Sequence, residues 1–157
     1  MSDILKAAYL RTRAVEYLQR FIGLPYVWGG DDPVAGFDCS GLIVEVLQAV
    51  GVIPHNSDFS AATLYDKFED KAVIRGYAGC LVFWYSSNIH EKITHVEMMI
   101  DDFFTVGASG GGSKTLTLAD AIRQNAYVKM RPMGYRGDRY LICDPFNAEW
   151  KWHSSMA

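Results

Sequence analysis

The sequence predicts an α+β domain in which helices come first and an antiparallel sheet follows. Two observations carry this. Up to about residue 68 the apolar residues recur three and four apart, the helical period. From Gly79 onward they gather into short β-branched and aromatic runs separated by turn residues. Length agrees: 157 residues, half of them hydrophobic, suffice for one domain with its own core.

Ser2 and Asp3 suit the start of a helix that runs to about Phe21. Its apolar positions are Ile4, Ala7, Ala8, Ala14, Val15, Leu18 and Ile22, and Gly23 with Pro25 ends it. Residues 25–37 hold three glycines and two prolines and predict an irregular loop. A second helix begins with Asp38 as N-cap and stops at Gly51. Cys39, Leu42, Ile43, Val46, Leu47 and Val50 fall on one stripe of it, which sets Cys39 in the first turn on the core-facing side. A short third helix is expected over 57–68.

Strands are predicted over 80–85, 93–100 and 103–108, the last two joined as a hairpin by Asp101-Asp102. Gly110, Gly111 and Gly112 break the run. Thr117 can cap a short helix over 118–124, and 127–131 and 139–142 read as further strands. No internal repeat or linker divides the chain, so one domain over 1–157 is expected, with a loosely held tail from about 147 that contains Trp150 and Trp152.

Composition excludes several functions. The net charge is −3 and the basic residues are scattered, which argues against nucleic acid as a partner. No apolar stretch is long enough to span a bilayer. The N-terminus lacks a basic segment followed by an unbroken apolar run, so no signal peptide is read there. The three cysteines, Cys39, Cys80 and Cys143, form no CxxC pair, which excludes a disulfide framework and a standard structural zinc site. No metal and no organic cofactor are expected.

Cys39 is the residue most open to chemistry. A thiol is nucleophilic as thiolate, and unpaired N–H groups in the first turn of a helix favour negative charge there. Against this stands the ordinary role of a free cysteine as a small buried apolar residue. A cysteine nucleophile needs a base within hydrogen-bond reach. Of His55, His90, His95 and His153, only His95 lies in a predicted strand. Alternation there puts His95, Glu97 and Met99 on one face and Thr94, Val96 and Met98 on the other. A strand histidine that merely packs is the competing reading.

The segment Pro25-Tyr26-Val27-Trp28-Gly29-Gly30, followed by Gly36-Phe37-Asp38-Cys39-Ser40-Gly41-Leu42, resembles the signature of the NlpC/P60 peptidases. Gly79-Cys80-Leu81-Val82-Phe83-Trp84 and His95-Val96 resemble two strands of the same family, and the likeness covers roughly residues 15–110. It implies a papain-like fold whose helix presents a cysteine to a histidine on the packed antiparallel sheet. It also implies hydrolysis of γ-D-glutamyl–diamino acid bonds in peptidoglycan stem peptides. Carried onto this chain, Cys39 is the nucleophile and His95 the base. Tyr26 lines the site near the oxyanion, while Asp38 and Ser40 meet the free amine of the stem peptide. Asp38 is equally suited to a plain N-cap role.

Three features depart from the family pattern. The family's third polar residue stands about twelve positions after the histidine, and that count lands on Gly107, which has no side chain. Glu97, where the family has glycine, shares the His95 face and is one candidate to hold the ring; Ser109 or a backbone carbonyl are others. Cys80 replaces an aspartate and reads as structural. With neither a secretion signal nor a wall-binding repeat, the resemblance fits a phage or prophage protein, cytoplasmic at synthesis or associated with the virion, acting with tail or lysis components. Two alternatives keep the cleft: a peptide-binding module that has lost activity, and an acyltransferase or amidase using the same cysteine and histidine.

The run from Gly107 to Thr115 is unlike a phosphate loop, because Ser113 stands where that motif needs glycine before Lys114. It reads as a flexible rim of the cleft. Phe83, Trp84 and Tyr85 read as core and cleft wall.

Overall fold

The computed structural model describes residues 1–86 and 92–147. The expected tail from about 147, Trp150, Trp152, His90 and His153 lie outside the described residues.

Helix α1 (Asp3–Gln19) is capped by Ser2, whose hydroxyl accepts from the Leu5 N–H. It buries Ala7, Ala14, Val15 and Leu18. Ile4 and Ile22, expected on the same face, are exposed. The loop at 25–37 is less irregular than expected. Asp31–Asp32 (β1) and Gly36–Phe37 (β2) pair as a two-residue antiparallel ladder, and Tyr26 bridges Phe37. Strands this short carry no periodicity, which is why the glycines and prolines dominate the sequence pattern. Helix α2 (Cys39–Ala49) follows, and its Leu42, Ile43, Val46 and Leu47 enter the core. Helix α3 (Ala61–Phe68) starts later than expected, because Ser60 forms a capping box with Thr63.

A single 3-10 turn (Glu69–Lys71) leads into β3 (Ala72–Val73), a strand too short to read from sequence. Then come β4 (Leu81–Tyr85), β5 (Ile93–Met99), β6 (Phe104–Ser109), α4 (Leu118–Gln124), β7 (Tyr127–Pro132) and β8 (Tyr140–Cys143). The six-stranded sheet runs β3-β8-β4-β5-β6-β7 and its pairings are antiparallel. The β5–β6 turn is where expected. Asp101 closes it by accepting the N–H groups of Phe103 and Phe104. Thr117 caps α4 in a second capping box, with Asp120.

The sheet is covered on both faces, so β4 is an unbroken apolar run. Leu81, Phe83, Val96, Met98 and Val106 join the helices in the main core. Cys80, Val82, Trp84, Met99 and Ile142 form a smaller cluster on the other face. Burial pushes the Cys80 thiol up to about 12 and the Cys143 thiol up to about 11. Both are therefore neutral packing groups at ordinary pH. A polar clamp ties α1 to the end of the sheet. The Arg11 guanidinium donates to buried Asp144 at 2.8 Å, and Asp144 also accepts from the Tyr77 hydroxyl and the Phe146 N–H. No helix among the described residues is long and apolar enough to cross a membrane.

Candidate active site

The head of α2 is held by its own cap. Asp38 Oδ1 accepts the Gly41 N–H at 2.7 Å and the Ser40 hydroxyl at 3.4 Å, and Oδ2 accepts the Gly29 N–H at 3.1 Å. One carboxylate thus starts the helix and ties it to the preceding glycine loop. Burial raises the Asp38 carboxyl and the charge of Asp58 adds to this, while the hydrogen bonds pull the other way. The loop crosses α2 closely. The Gly30 carbonyl accepts from the Asp38 N–H, and a Cβ on Gly41 would lie only 2.0 Å from that carbonyl oxygen. Gly41 therefore lets the loop lie against the first turn. Cys39 is consequently only partly buried and opens into a groove of about 790 Å³.

Five of the six residues singled out from the sequence line that groove: Tyr26, Asp38, Cys39, Ser40 and His95. The sixth, Glu97, lies behind it. His95 (5% exposed) lines the groove with Cys39, near enough for the sulfur to act on its ring, and its Nε2 lies 2.9 Å from Glu97 Oε1. Glu97 is fully buried. Its Oε1 also accepts the Tyr135 hydroxyl at 2.7 Å, and its Oε2 accepts the Thr105 hydroxyl at 2.6 Å. Burial alone would raise the Glu97 carboxyl, but its bonds to His95, Thr105 and Tyr135 and the imidazole's charge outweigh that and hold it below its usual range. The carboxylate is ionised and only accepts, so His95 Nε2 carries hydrogen and Nδ1 is the nitrogen left for Cys39. Burial pulls the His95 imidazole down, yet the bonds and charges of Cys39 and Glu97 leave it raised. Trp84 packs 5.6 Å from the His95 ring and limits its rotation.

Gly107 explains the arrangement. It has no positive φ, so its backbone would accept any side chain, but a Cβ there would lie 2.2 Å from Glu97 Cγ. The pairing of Met98 with Val106, continued by one residue, sets Glu97 opposite Gly107. The two positions share one volume, which Glu97 fills.

Tyr26 (5% exposed) has its phenol held well above the usual range by burial first, then by the neighbouring charges of Cys39 and Asp38. It stays a hydroxyl donor at working pH. The glycine run has a firmer role than a flexible rim. A Cβ on Gly111 would strike the Tyr26 ring at 2.4 Å, and Gly110 takes φ +89° beside the Asn125 carbonyl. The sequence did not point to Thr105, Tyr135, Asp58 or Arg136. Hairpin register could have found Thr105, which lies diagonally across from Glu97; the other three come from loops with no pattern. Among the described residues, no group of three His, Cys, Asp or Glu side chains is placed to hold a metal.

The NlpC/P60 family model matches residues 23–132. The chain belongs to the NlpC/P60 family. A probable endopeptidase of Mycobacterium tuberculosis is 46% identical over 48 residues, 30% of this chain and 12% of that protein. The gamma-DL-glutamyl hydrolase of Bacillus subtilis is 46% identical over 46 residues, 28% of this chain and 11% of that protein. The bifunctional muramidase/DL-endopeptidase CwlT of Bacillus subtilis is 33% identical over 82 residues, 52% of this chain and 24% of that protein. The chain thus spans a quarter or less of each of these relatives.

Among solved structures, an NlpC/P60 protein of Bacillus cereus superposes with TM-score 0.67 at 22% identity, over 87% of this chain and 40% of that one. The NlpC/p60 domain of the peptidoglycan hydrolase SagA superposes with TM-score 0.58 at 24% identity, over 84% of this chain and 97% of that one. At these identities the likeness speaks for fold, and the fold is the papain-like α+β one expected.

Proposed function

We propose that this NlpC/P60 protein is a cysteine endopeptidase that cleaves γ-D-glutamyl–diamino acid amide bonds in peptidoglycan stem peptides, with Cys39 as nucleophile and His95 as acid and base. The observation that carries this is the convergence of the Cys39 side chain and the His95 ring at one open groove, with the far nitrogen of the ring fixed by Glu97.

The geometry supports a two-step course. Cys39 thiolate attacks the amide carbon, and the carbonyl oxygen gains negative charge opposite the Tyr26 hydroxyl and the first-turn N–H groups of α2. His95, protonated at Nδ1, gives that proton to the leaving amine as the C–N bond breaks. A thioester remains. Water then attacks it while Nδ1 takes up a proton, releasing a carboxylic acid and regenerating the sulfur. Glu97 is a positioning residue in this scheme: it fixes the tautomer and steadies the imidazolium without touching the substrate. Asp38 and Ser40, on the groove wall, suit the ammonium of a stem peptide's N-terminal residue. The relatives' names support a glutamyl-directed peptidase. None of those reported above is named as a phage protein, and they lend no support to a phage setting.

The test is a mass-spectrometric digest of purified muropeptides with wild type and Cys39→Ala side by side. The expected products are fragments cut between the γ-D-glutamyl residue and the diamino acid, from wild type only. Identical product patterns from the two proteins would end the peptidase assignment, and wild-type release of an acyl group other than a peptide would favour the amidase or acyltransferase alternative.

A further inference from the structure

The groove carries charges that bond cleavage does not use. Arg136, on the connection between β7 and β8, lines it together with Tyr26, Cys39 and His95. This residue lies beyond the stretch matched by the family model, 23–132. Its guanidinium sits 6.0 Å from the Tyr135 ring centre, next to the phenol that braces Glu97, and its charge is felt at Tyr26. Arg136 therefore stands beside Tyr135 on the groove wall, within electrostatic reach of Tyr26. Among the described residues it has no carboxylate partner within ion-pair distance. Asp31, Asp38 and Asp58 line the groove from other elements, the loop before α2 and the segment before α3. Asp38 and Asp58 are close enough for one charge to shift the other. The groove thus offers a carboxylate wall for a cation and a separate guanidinium for an anion.

A planar, permanently charged guanidinium with no carboxylate partner among the described residues is chemically matched to a carboxylate. We propose that Arg136 is a specificity-determining residue that receives a substrate carboxylate adjoining the scissile bond. This rests on the peptidase reading above. A γ-linked glutamyl residue keeps its α-carboxylate free, only a few bonds from the attacked carbonyl, and a diamino acid on the leaving side carries carboxylates as well. Either source supplies the same chemistry. Conversion of that carboxylate to a carboxamide removes the charge at nearly constant shape, so Arg136 makes the protein selective for non-amidated stem peptides.

The experiment uses three synthetic peptides: L-Ala-γ-D-Glu-meso-diaminopimelate, its glutamyl α-carboxamide, and the version with L-lysine replacing diaminopimelate, which removes only the side-chain carboxylate. Binding is measured by calorimetry in the full chain carrying Cys39→Ala, with and without Arg136→Gln and Arg136→Lys, and turnover is measured with Cys39 intact. Loss of the recognised carboxylate is expected to weaken binding about tenfold to a hundredfold. Arg136→Gln should weaken the carboxylate peptide by a similar factor, leave the peptide lacking that group unchanged, and so abolish the preference, while Arg136→Lys keeps part of it. A preference against the carboxamide assigns the glutamyl carboxylate; one against the lysine peptide alone assigns the leaving side. Equal binding of all three peptides, or a preference that survives Arg136→Gln, overturns the proposal. Binding with the expected preference but no turnover by the intact protein would instead remove the peptidase reading and leave Arg136 as a ligand-binding residue.

Discussion

Cys39→Ala and His95→Gln each lower kcat/KM on the stem-peptide substrate by about 10⁴-fold or more, and the double variant is scarcely worse than either single one. The reason is that the sulfur and the imidazole act as one unit. Without the thiol no thioester forms, and without an imidazole at Nδ1 the leaving amine loses the proton donor that stands beside the sulfur. Glutamine is chosen at His95 because the position is buried between Glu97 and Trp84, and a polar side chain of similar reach limits collapse of that pocket. Initial rates from chromatographic product analysis, with circular dichroism to show that each variant folds, read the effect. Residual activity within tenfold of wild type for His95→Gln would remove His95 from the chemistry.

The second large effect concerns the place of Glu97. Glu97→Gly is expected to lower kcat about a hundredfold or more, because His95 Nε2, the Thr105 hydroxyl and the Tyr135 hydroxyl all lose their shared acceptor inside the protein. Gly107→Asn alone is damaging for a different reason. Its new Cβ would lie 2.2 Å from Glu97 Cγ, so the strands must separate or the carboxylate must leave the imidazole. Combined, the two changes should compensate. With Glu97→Gly the volume is free, Gly107 has ordinary strand backbone, and an amide arriving from β6 can meet Nε2 from the position where the family keeps its polar residue. The double variant is predicted to recover at least about tenfold in kcat over Glu97→Gly, whereas relief of the steric clash alone would only return it to the Glu97→Gly level. A double variant no better than Glu97→Gly would show that the side chain was not transposed between strands.

Much of this was legible in the sequence because it rests on periodicity and on capping chemistry. The stripe on α2, the Asp38 cap, the β5–β6 turn and the alternation that places His95 and Glu97 together are all local properties of the chain. The pairing of Glu97 with Gly107 was half visible: Glu97 was a candidate for the ring-holding role that Gly107 lacks a side chain to fill, with Ser109 and a backbone carbonyl as rivals. Only the register across the hairpin shows that the two positions face each other and share one volume. What could not be read was long-range. Asp144 meets Arg11 across 133 residues, and Tyr135 reaches Glu97 from a loop with no periodic pattern. The two-residue strands β1, β2 and β3 exist because of their partners and have no propensity signal of their own. Ile4 and Ile22 show the opposite error, since helical spacing names a face and burial depends on what packs against it.

The central physical claim is that a buried, ionised Glu97 keeps the His95 imidazole charged beside Cys39. Titration of the His95 ring nitrogens by NMR, in wild type and in Glu97→Gln, tests it most directly. Because the folded His95 value is raised, its imidazolium stabilises the fold fully below the ordinary imidazole range and loses that effect as pH climbs through the raised value. The depressed Glu97 value gives the opposite sense, a contribution present above the ordinary carboxylate range and lost on acidification. The predicted result is an imidazolium that persists above the ordinary imidazole range in wild type, with a midpoint that falls in Glu97→Gln because burial then acts with less opposition. A His95 midpoint at or below the ordinary value in wild type, unmoved by the substitution, would contradict the account.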